Sequence, residues 1–230
     1  MRERRRPKWL GDFEVTYTTN DAVVFDFNSL DVECMYADSW YPHSSAIVHS
    51  VLRKSGRVEM VEEPVMVIHA DLIKKVCEKG GLSAALAHLT KLSEVLGTAR
   101  IIPFDEFLKL VKSRPNVCFN APADMKALQN ACQILNLEGA PETQNFVDLR
   151  DLVMKYNEVF MNYFPKGKKI PAPGTHASLQ DLIRFVRDDL KFIQKHSGTE
   201  DVLLNNELLE FIVRVLSCKP PTSDPVTLKN

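Results

Sequence analysis

The sequence has no apolar run long enough to cross a membrane, and no apolar signal-peptide segment follows its N-terminus. It also lacks both glycine-loop patterns that cradle nucleotide phosphates, GxGxxG and GxxxxGK followed by Ser or Thr. No internal repeat or low-complexity tract is present. We therefore expect an intracellular protein, in the cytoplasm or nucleus, that has no membrane partner.

Charge of one sign is not in excess either, because 29 Lys and Arg stand against 30 Asp and Glu, for a net charge of −1. Such a chain has no overall attraction for a polyanion, so any basic surface has to be local. A basic cluster lies near the N-terminus: Arg2, Arg4, Arg5, Arg6 and Lys8. The cluster fits a localisation signal or a nucleic-acid contact, and it equally fits a solvated, disordered end.

The five cysteines include no CxxC pair, and their number is odd. This argues against a disulfide framework and gives little support to a structural zinc site. Cys77, Cys118 and Cys132 lie among apolar residues. The pattern predicts reduced, mostly buried thiols.

What remains is an ordinary globular composition, 45% hydrophobic and 26% charged over 230 residues, which is enough chain for one substantial core. Short apolar runs predict strands over residues 21–27, 46–54, 57–68, 116–120 and 146–149. Apolar residues at three- and four-residue spacing predict helices over 71–79, 83–96, 104–112, 123–135, 179–192 and 202–216, and a helix that continues from the last strand to 163. Ser178 is a plausible N-cap of the helix over 179–192.

Three strands come first, with a Ser55-Gly56 turn and a bend at Pro64, and helices then alternate with short strands. This order predicts an α/β domain with a mixed central sheet flanked by helices. The first three strands should be antiparallel, and the later short strands should run parallel to the first. We assign residues 20–217 to this domain, 1–19 to a basic N-terminal extension and 218–230 to a C-terminal tail.

Three acidic residues occupy distinctive places. Asp26 lies inside an apolar strand, Asp124 opens a helix that follows a strand, and Asp201 follows His196 by five residues. A buried carboxylate is costly unless it is paired or metal-bound, so Asp26 in particular needs an explanation. Carboxylates from separate elements can hold two divalent cations for a phosphoryl displacement, with His196 taking the proton from water.

Each residue taken singly also has an ordinary explanation. Asp124 can cap the helix that it opens, Asp201 can interact with the dipole of the last helix, and His196 can be a solvated turn residue. None of these explanations accounts for Asp26. The acids therefore indicate a site rather than three unrelated surface positions.

Three segments resemble the motifs of one enzyme family. Residues 24–29, with Asp26 and Asn28, resemble a strand that carries Asp–x–Glu; residues 118–128, with Asn120 and Asp124, resemble the second motif; and residues 196–201 resemble the third, a His followed by Asp. Segments 146–152 and 177–186 resemble the connecting pieces. Across residues 20–217 the chain resembles the DEDDh-class 3′–5′ exonucleases, which include polymerase proofreading subunits, ribonuclease T, oligoribonuclease and histone-mRNA exonucleases.

The resemblance implies a ribonuclease H-like fold in which Asp26, Asn28, Asp124 and Asp201 hold Mg²⁺ or Mn²⁺ and His196 is the general base. Position 28 departs from the family, which has Glu there. The amide oxygen of Asn28 can coordinate a cation but brings no charge, so metal affinity should fall. Asp31 and Glu33 lie close by, and either can supply the missing charge if the first strand ends early.

The resemblance implies a hydrolase that acts on single-stranded nucleic acid, RNA in preference to DNA. Asn28 leaves an alternative open: a catalytically inactive protein of this fold that binds RNA or protein partners as a scaffold in an RNA-processing complex. Lys166, Lys168 and Lys169 lie in a Pro-rich loop that either contacts phosphates or is simply solvated. Asn120 is a further predicted substrate contact.

Overall fold

Residues 21–36, 38–80, 100–156 and 178–217 are described by the computed structural model of the chain. They form a mixed seven-stranded sheet with helices packed on both faces. The predicted α/β class and the helix-flanked mixed sheet are thereby confirmed. The N-terminal extension and the C-terminal tail lie outside the described residues.

Two long strands, β1 (Val23–Tyr36) and β2 (Trp40–Arg53), form the centre of the sheet and pair antiparallel. Both are longer than the strands that the sequence predicted. The first continues past residue 27 because polar and apolar residues alternate there, which suits a strand whose two faces have different coverings. The pairing has an irregularity between Glu33 and Cys34 and is regular from Phe25 to Glu33.

The other strands are short: β3 (Val58–Met60), β4 (Val65–Ile68), β5 (Arg100–Ile101), β6 (Asn116–Cys118) and β7 (Phe146–Asp148). The order across the sheet is β5-β4-β2-β1-β6-β7, and β3 also pairs with β2. As predicted, β6 runs parallel to β1 and β7 parallel to β6. The segment around Pro64, predicted as one bent strand, forms the two strands β3 and β4 with Pro64 in the break between them.

Six helices are described: α1 (Ala70–Gly80), α2 (Phe104–Ser113), α3 (Ala121–Leu135), α4 (Leu149–Lys155), α5 (Leu179–Arg187) and α6 (Gly198–Ser217). Ser178 caps α5 as predicted, since its side chain accepts from the backbone N–H of Asp181. That helix ends before the predicted residue 192 because Asp188 has a left-handed φ of 52°. The last helix begins four residues before the predicted position 202, so that it contains Asp201. The helix predicted over 83–96 lies outside the described residues.

The two faces of β1 belong to different cores. Leu30 and Val32 pack with residues of α1, α2 and α3. Phe27 packs on the other face with residues of α4, α5 and α6. Among the described helices, none is long and apolar enough to cross a membrane. Cys34, Cys77, Cys118 and Cys132 are free thiols.

Candidate metal centre

Two acidic residues of β1 lie on the face that α6 covers. Side chains alternate along a strand, so Phe27, Ser29, Asp31 and Glu33 share one side of the sheet. Phe27 packs in the core beneath α6. Ser29 Oγ donates a 2.9 Å hydrogen bond to the carbonyl oxygen of Val202 in that helix. Asp31 and Glu33 therefore face the first turns of α6.

Buried polar contacts fix the rotation of α6 about its axis. Asn205 Nδ2 donates to the carbonyl oxygen of Leu30 at 3.2 Å, and Asn206 Nδ2 donates to Ser50 Oγ at 2.8 Å. Buried amides require hydrogen-bond partners, and these partners exist for only one orientation of the helix. Residues four apart share a helix face, so the contact of Asn205 with β1 turns Asp201 toward β1 as well.

Gly198, the first residue of α6, lets the helix approach the sheet closely. A Cβ atom at this position would lie 3.0 Å from the Cβ of Ala46 and 3.5 Å from Oδ2 of Asp31. Ala46 is the partner of Asp31 in the β1–β2 register. The start of the helix therefore lies directly over this residue pair, with no space for a further side chain.

The carboxylates of Asp31, Glu33 and Asp201 meet at this point. One ligand atom of each residue lies within 4.8 Å of the others. Asp31 Oδ2 and Asp201 Oδ1 are buried and have no hydrogen-bond partner among the described residues. Buried acceptors without donors are costly, and a cation would satisfy them. These three residues can hold a metal ion.

Asp124 adds a fourth acid from another element. It lies in the first turn of α3, it is 7% exposed, and its Oδ2 likewise has no hydrogen-bond partner in the described part of the chain. The thiol of Cys118, at the end of β6, is close enough to lower the pKa of the Asp124 carboxyl group. The charge of Asp124 helps to raise the pKa of Asp31, so the two carboxylates belong to one electrostatic group.

Burial and repulsion raise the pKa values of these acids. For Asp31 the largest cause is burial, and the charges of Asp124, Glu33 and Asp201 add to it. Burial also raises the pKa of Asp124, although the Cys118 thiol acts in the opposite direction. Burial raises the pKa of Asp201 as well. Both effects penalise the ionised carboxylates, which a divalent cation would stabilise by taking the place of their protons.

His196 lies on an exposed turn immediately before α6, with a left-handed φ of 52°. Its charge lowers the pKa of Asp201, so its imidazole lies near that carboxylate. A hydrogen bond from the buried Gln194 side chain acts in the same direction. His196 is thus within electrostatic range of Asp201, and Asp124 belongs to the same group of acids.

The structure does not bring Asp26 and Asn28 to this group. Asp26 Oδ1 accepts a hydrogen bond from His49 Nε2 at 2.7 Å and forms an ion pair with Arg114, whose Nε lies 3.1 Å away. The Asp26 side chain is 54% exposed. Asn28 is buried, and its Nδ2 donates to the carbonyl oxygen of Leu110 in α2 at 3.0 Å. Both side chains therefore leave β1 on the face opposite α6.

The physical reason is the two-residue period of a strand. Asp31 and Glu33 follow Asp26 and Asn28 by five residues each, and an odd shift moves a side chain to the opposite face. The group of acids that could hold a metal ion therefore contains Asp31 and Glu33 from β1, and the predicted Asp26 and Asn28 lie outside it. The alternation of polar and apolar residues over 29–33 is the signal that identifies this part of β1 as strand.

The predicted substrate contacts stay predictions. Asn120 precedes α3 with a φ of 67°, and its Oδ1 accepts a 3.4 Å hydrogen bond from the guanidinium of Arg150. Its backbone N–H donates to Asp148 at 3.0 Å. The predicted phosphate contacts lie outside the described residues: Lys166, Lys168 and Lys169.

A comparison with models of protein families finds none that matches the chain, and a comparison with curated proteins finds no significant match. The site itself therefore has to carry any functional proposal.

Proposed function

We propose that this protein is a metal-dependent 3′–5′ exonuclease that removes nucleotides from the ends of single-stranded RNA or DNA. The observation that carries the proposal is the convergence of Asp31, Glu33, Asp124 and Asp201 beside His196. The acids come from β1, α3 and α6. They penalise one another's ionised forms, so fold stability gives no reason to group them, whereas cation binding does.

The four carboxylates would hold Mg²⁺ or Mn²⁺, hard cations that prefer oxygen ligands. When bound, such ions stabilise the charge on the attacking and leaving oxygens of a phosphodiester. The chain itself keeps the acids in place before any cation arrives. Ser29 and Asn205 hold α6 on β1, and Gly198 leaves no space for a side chain between them.

His196 is the general base in this proposal and accepts the proton of the attacking water. Its exposed turn leaves the imidazole accessible to water and to a strand end. The neighbouring carboxylate of Asp201 offsets the positive charge that the imidazole gains. The imidazole has no evident role in packing, because the residue is exposed.

The resemblance to DEDDh exonucleases becomes closer with Asp31 and Glu33 as the first motif. Asp31-Val32-Glu33 is an Asp–x–Glu sequence, so Glu33 provides the glutamate of the first motif and Asn28 is not part of that motif. The inactive-scaffold alternative depended on Asn28, whose side chain bonds to α2 on the other face of β1, so Asn28 no longer argues for that alternative in this proposal. The 3′–5′ direction, the single-stranded substrate and the preference for RNA come from the resemblance.

Degradation of single-stranded RNA and DNA in Mn²⁺ or Mg²⁺ tests the proposal. A strand labelled at its 5′ end should shorten step by step, whereas a 3′ label should be released at once as a mononucleotide. EDTA should stop both reactions. Folded protein that degrades neither polymer with either ion would reject the proposed activity.

Two acids of the same strand provide the matched pair of variants. Asp31→Asn should abolish degradation, because it removes one of the clustered charges. Asp26→Asn changes the same functional group on the opposite face and should retain activity. The reverse result would return the site to Asp26 and overturn the assignment of Asp31.

A further inference from the structure

Two aromatic side chains face each other where β1 ends and β2 begins. Tyr36 and Trp40 are partners in the antiparallel register, and their rings lie 5.2 Å apart, edge to face at 63°. They are 53% and 54% exposed. Large aromatic residues usually bury most of their surface, so an exposed pair is a feature to be explained.

The pair lies on the same face of the sheet as the acids. The neighbouring residues Met35 and Tyr41 are buried in the core on the side of α1, α2 and α3. Adjacent strand residues point to opposite faces, so Tyr36 and Trp40 point to the other side. Trp40 follows the alternation of β2 onto the face of Ala46, the register partner of Asp31, and the irregularity between Glu33 and Cys34 shifts the alternation of β1 by one residue before Tyr36. Tyr36 follows Glu33 by three residue steps, or about 10 Å along β1.

The backbone beneath the pair is held in place. Asn130 of α3 donates to Ser39 Oγ at 2.8 Å and to the carbonyl oxygen of Trp40 at 2.9 Å. Tyr41 Oη donates to Asp38 at 2.9 Å. These bonds anchor the end of the hairpin to the helix that carries Asp124. The aromatic pair therefore has a fixed position relative to the acids.

Binding of a nucleic-acid strand next to four carboxylates requires an attraction that does not depend on charge. The carboxylates repel phosphate until they bind cations. An aromatic ring stacks on a base whether or not cations are bound. Stacking is available only to bases that are not already stacked in a duplex. An exposed aromatic pair near the acids has the chemistry for this contact.

We propose that Tyr36 and Trp40 form a stacking platform for an unpaired base of the strand whose end lies at the acids. The proposal rests on the proposed function and specifies its substrate: a flexible single strand, bound with little regard to base identity. Because every base has a π-face, the platform supplies affinity rather than sequence recognition. It also gives the site a reason to disfavour a duplex end.

Fluorescence tests the platform separately from catalysis. The sequence has two tryptophans, so Trp9→Phe leaves Trp40 as the only source of indole emission. In EDTA, where no degradation occurs, an oligothymidylate or oligouridylate should quench this emission. A hairpin duplex with blunt ends should quench it much less. Equal quenching by both would overturn the proposal.

Affinity provides the second measurement. Trp40→Ala and Tyr36→Ala should each weaken single-strand binding in EDTA by about fivefold to a hundredfold, and the loss should persist at high salt because stacking is not electrostatic. Trp40→Phe should bind better than Trp40→Ala, because a ring remains. Ile101→Ala, which truncates an equally exposed residue of β5, should bind like the parent protein.

The outcomes separate the two proposals. Quenching with a loss of affinity in Trp40→Ala supports the platform even if the parent protein degrades nothing, and the degradation assay alone then decides the exonuclease. Unchanged affinity in Trp40→Ala, with thermal unfolding like that of the parent, overturns the platform. It would leave the proposed activity standing.

Discussion

Asp31 and Gly198 approach each other so closely that a Cβ atom on the glycine would lie 3.5 Å from the aspartate Oδ2. The same Cβ would lie 3.0 Å from the Cβ of Ala46. The spacing between β1 and the start of α6 is thus set by the absence of a side chain. Asp201 lies in that first turn, so the same spacing fixes its distance to Asp31.

Gly198→Ala should therefore weaken the cation site. The added methyl group has to push the helix start away from Ala46, at an overpacking cost of about 1–3 kcal/mol. Displaced supporting contacts typically lower metal affinity by about tenfold to a hundredfold. Calorimetric titration with Mn²⁺ measures the affinity. Adding Ala46→Gly removes the methyl group that the new side chain would meet, so the double variant should regain part of the Mn²⁺ affinity. A double variant with no gain in affinity would show that steric overlap is not the cause.

Asp31→Asn should stabilise the metal-free protein near neutral pH. Since the folded-state pKa of Asp31 is raised, the folded protein retains a proton that the unfolded chain has lost. Stability is then greatest below the ordinary Asp pKa of about 3.9 and falls as pH rises toward the raised value, by about 1.4 kcal/mol per pH unit. The amide side chain does not ionise, so the Asp31→Asn variant lacks this residue's contribution to the fall in stability.

Urea unfolding at pH 5 and pH 8 in EDTA measures the effect. The parent protein should lose more stability between the two pH values than Asp31→Asn does. Adding Mn²⁺ should stabilise the parent and have little effect on the variant. A variant that is less stable than the parent in EDTA at pH 8 would show that Asp31 has a stabilising partner.

His69 should make the protein sensitive to acid. It is 1% exposed, its Nε2 lies 2.9 Å from Ser45 Oγ, and Phe104 and Phe107 contact its ring. Burial, with a smaller effect of His43, lowers its pKa to about 3. The unfolded chain protonates near the ordinary value of about 6.5, so stability present above that pH is lost as pH falls toward about 3.

His69→Gln removes the titrating group and keeps a polar side chain for Ser45. Between about pH 6 and pH 4, the free energy of unfolding of the variant should fall less steeply than that of the parent. The difference between the two slopes should be about 1.4 kcal/mol per pH unit. Chemical unfolding at several pH values measures the slope. An unchanged slope in His69→Gln would mean that the residue is already protonated in the fold.

Asn28→Glu should destabilise the protein without improving the cation site. Asn28 is 3% exposed and its amide donates to the carbonyl oxygen of Leu110, which a carboxylate cannot do. An uncompensated buried charge costs about 3 kcal/mol or more. Urea unfolding measures the loss, and Asp26→Glu, at a half-exposed position of the same strand, is the control. Tighter Mn²⁺ binding by Asn28→Glu would contradict the assignment of Glu33.

The class of fold was predictable because strand and helix periods differ along this sequence. The apolar run that ends at Phe27 and the helical spacing over residues 104–112 both indicate elements that the structure contains. The predicted parallel order of the later strands followed from their separation by helices. The length of β1 was not predicted, because beyond Phe27 it is no longer uniformly apolar.

The site was predictable only in its helical half. Asp124 and Asp201 lie next to helix starts that the sequence predicts, and each lies in the first turn of a helix in the structure. The strand half offered two similar candidates, Asp26 and Asp31. An acid among apolar residues looked costly and therefore functional, whereas the direction of Asp31 depended on where the first strand ended. Tertiary packing reversed this, since α6 covers Asp31 while Asp26 reaches solvent and Arg114.

The docking of α6 on β1 joins residues that are synthesised far apart in time. Asp31 leaves the ribosome early, and Asp201 is added 170 residues later, the difference between 201 and 31. Until α6 has emerged and packed, the early strand offers only part of the ligand set. The order of the acids along the chain thus delays completion of the ligand set, so a nascent chain that still lacks α6 should not bind a cation at this site.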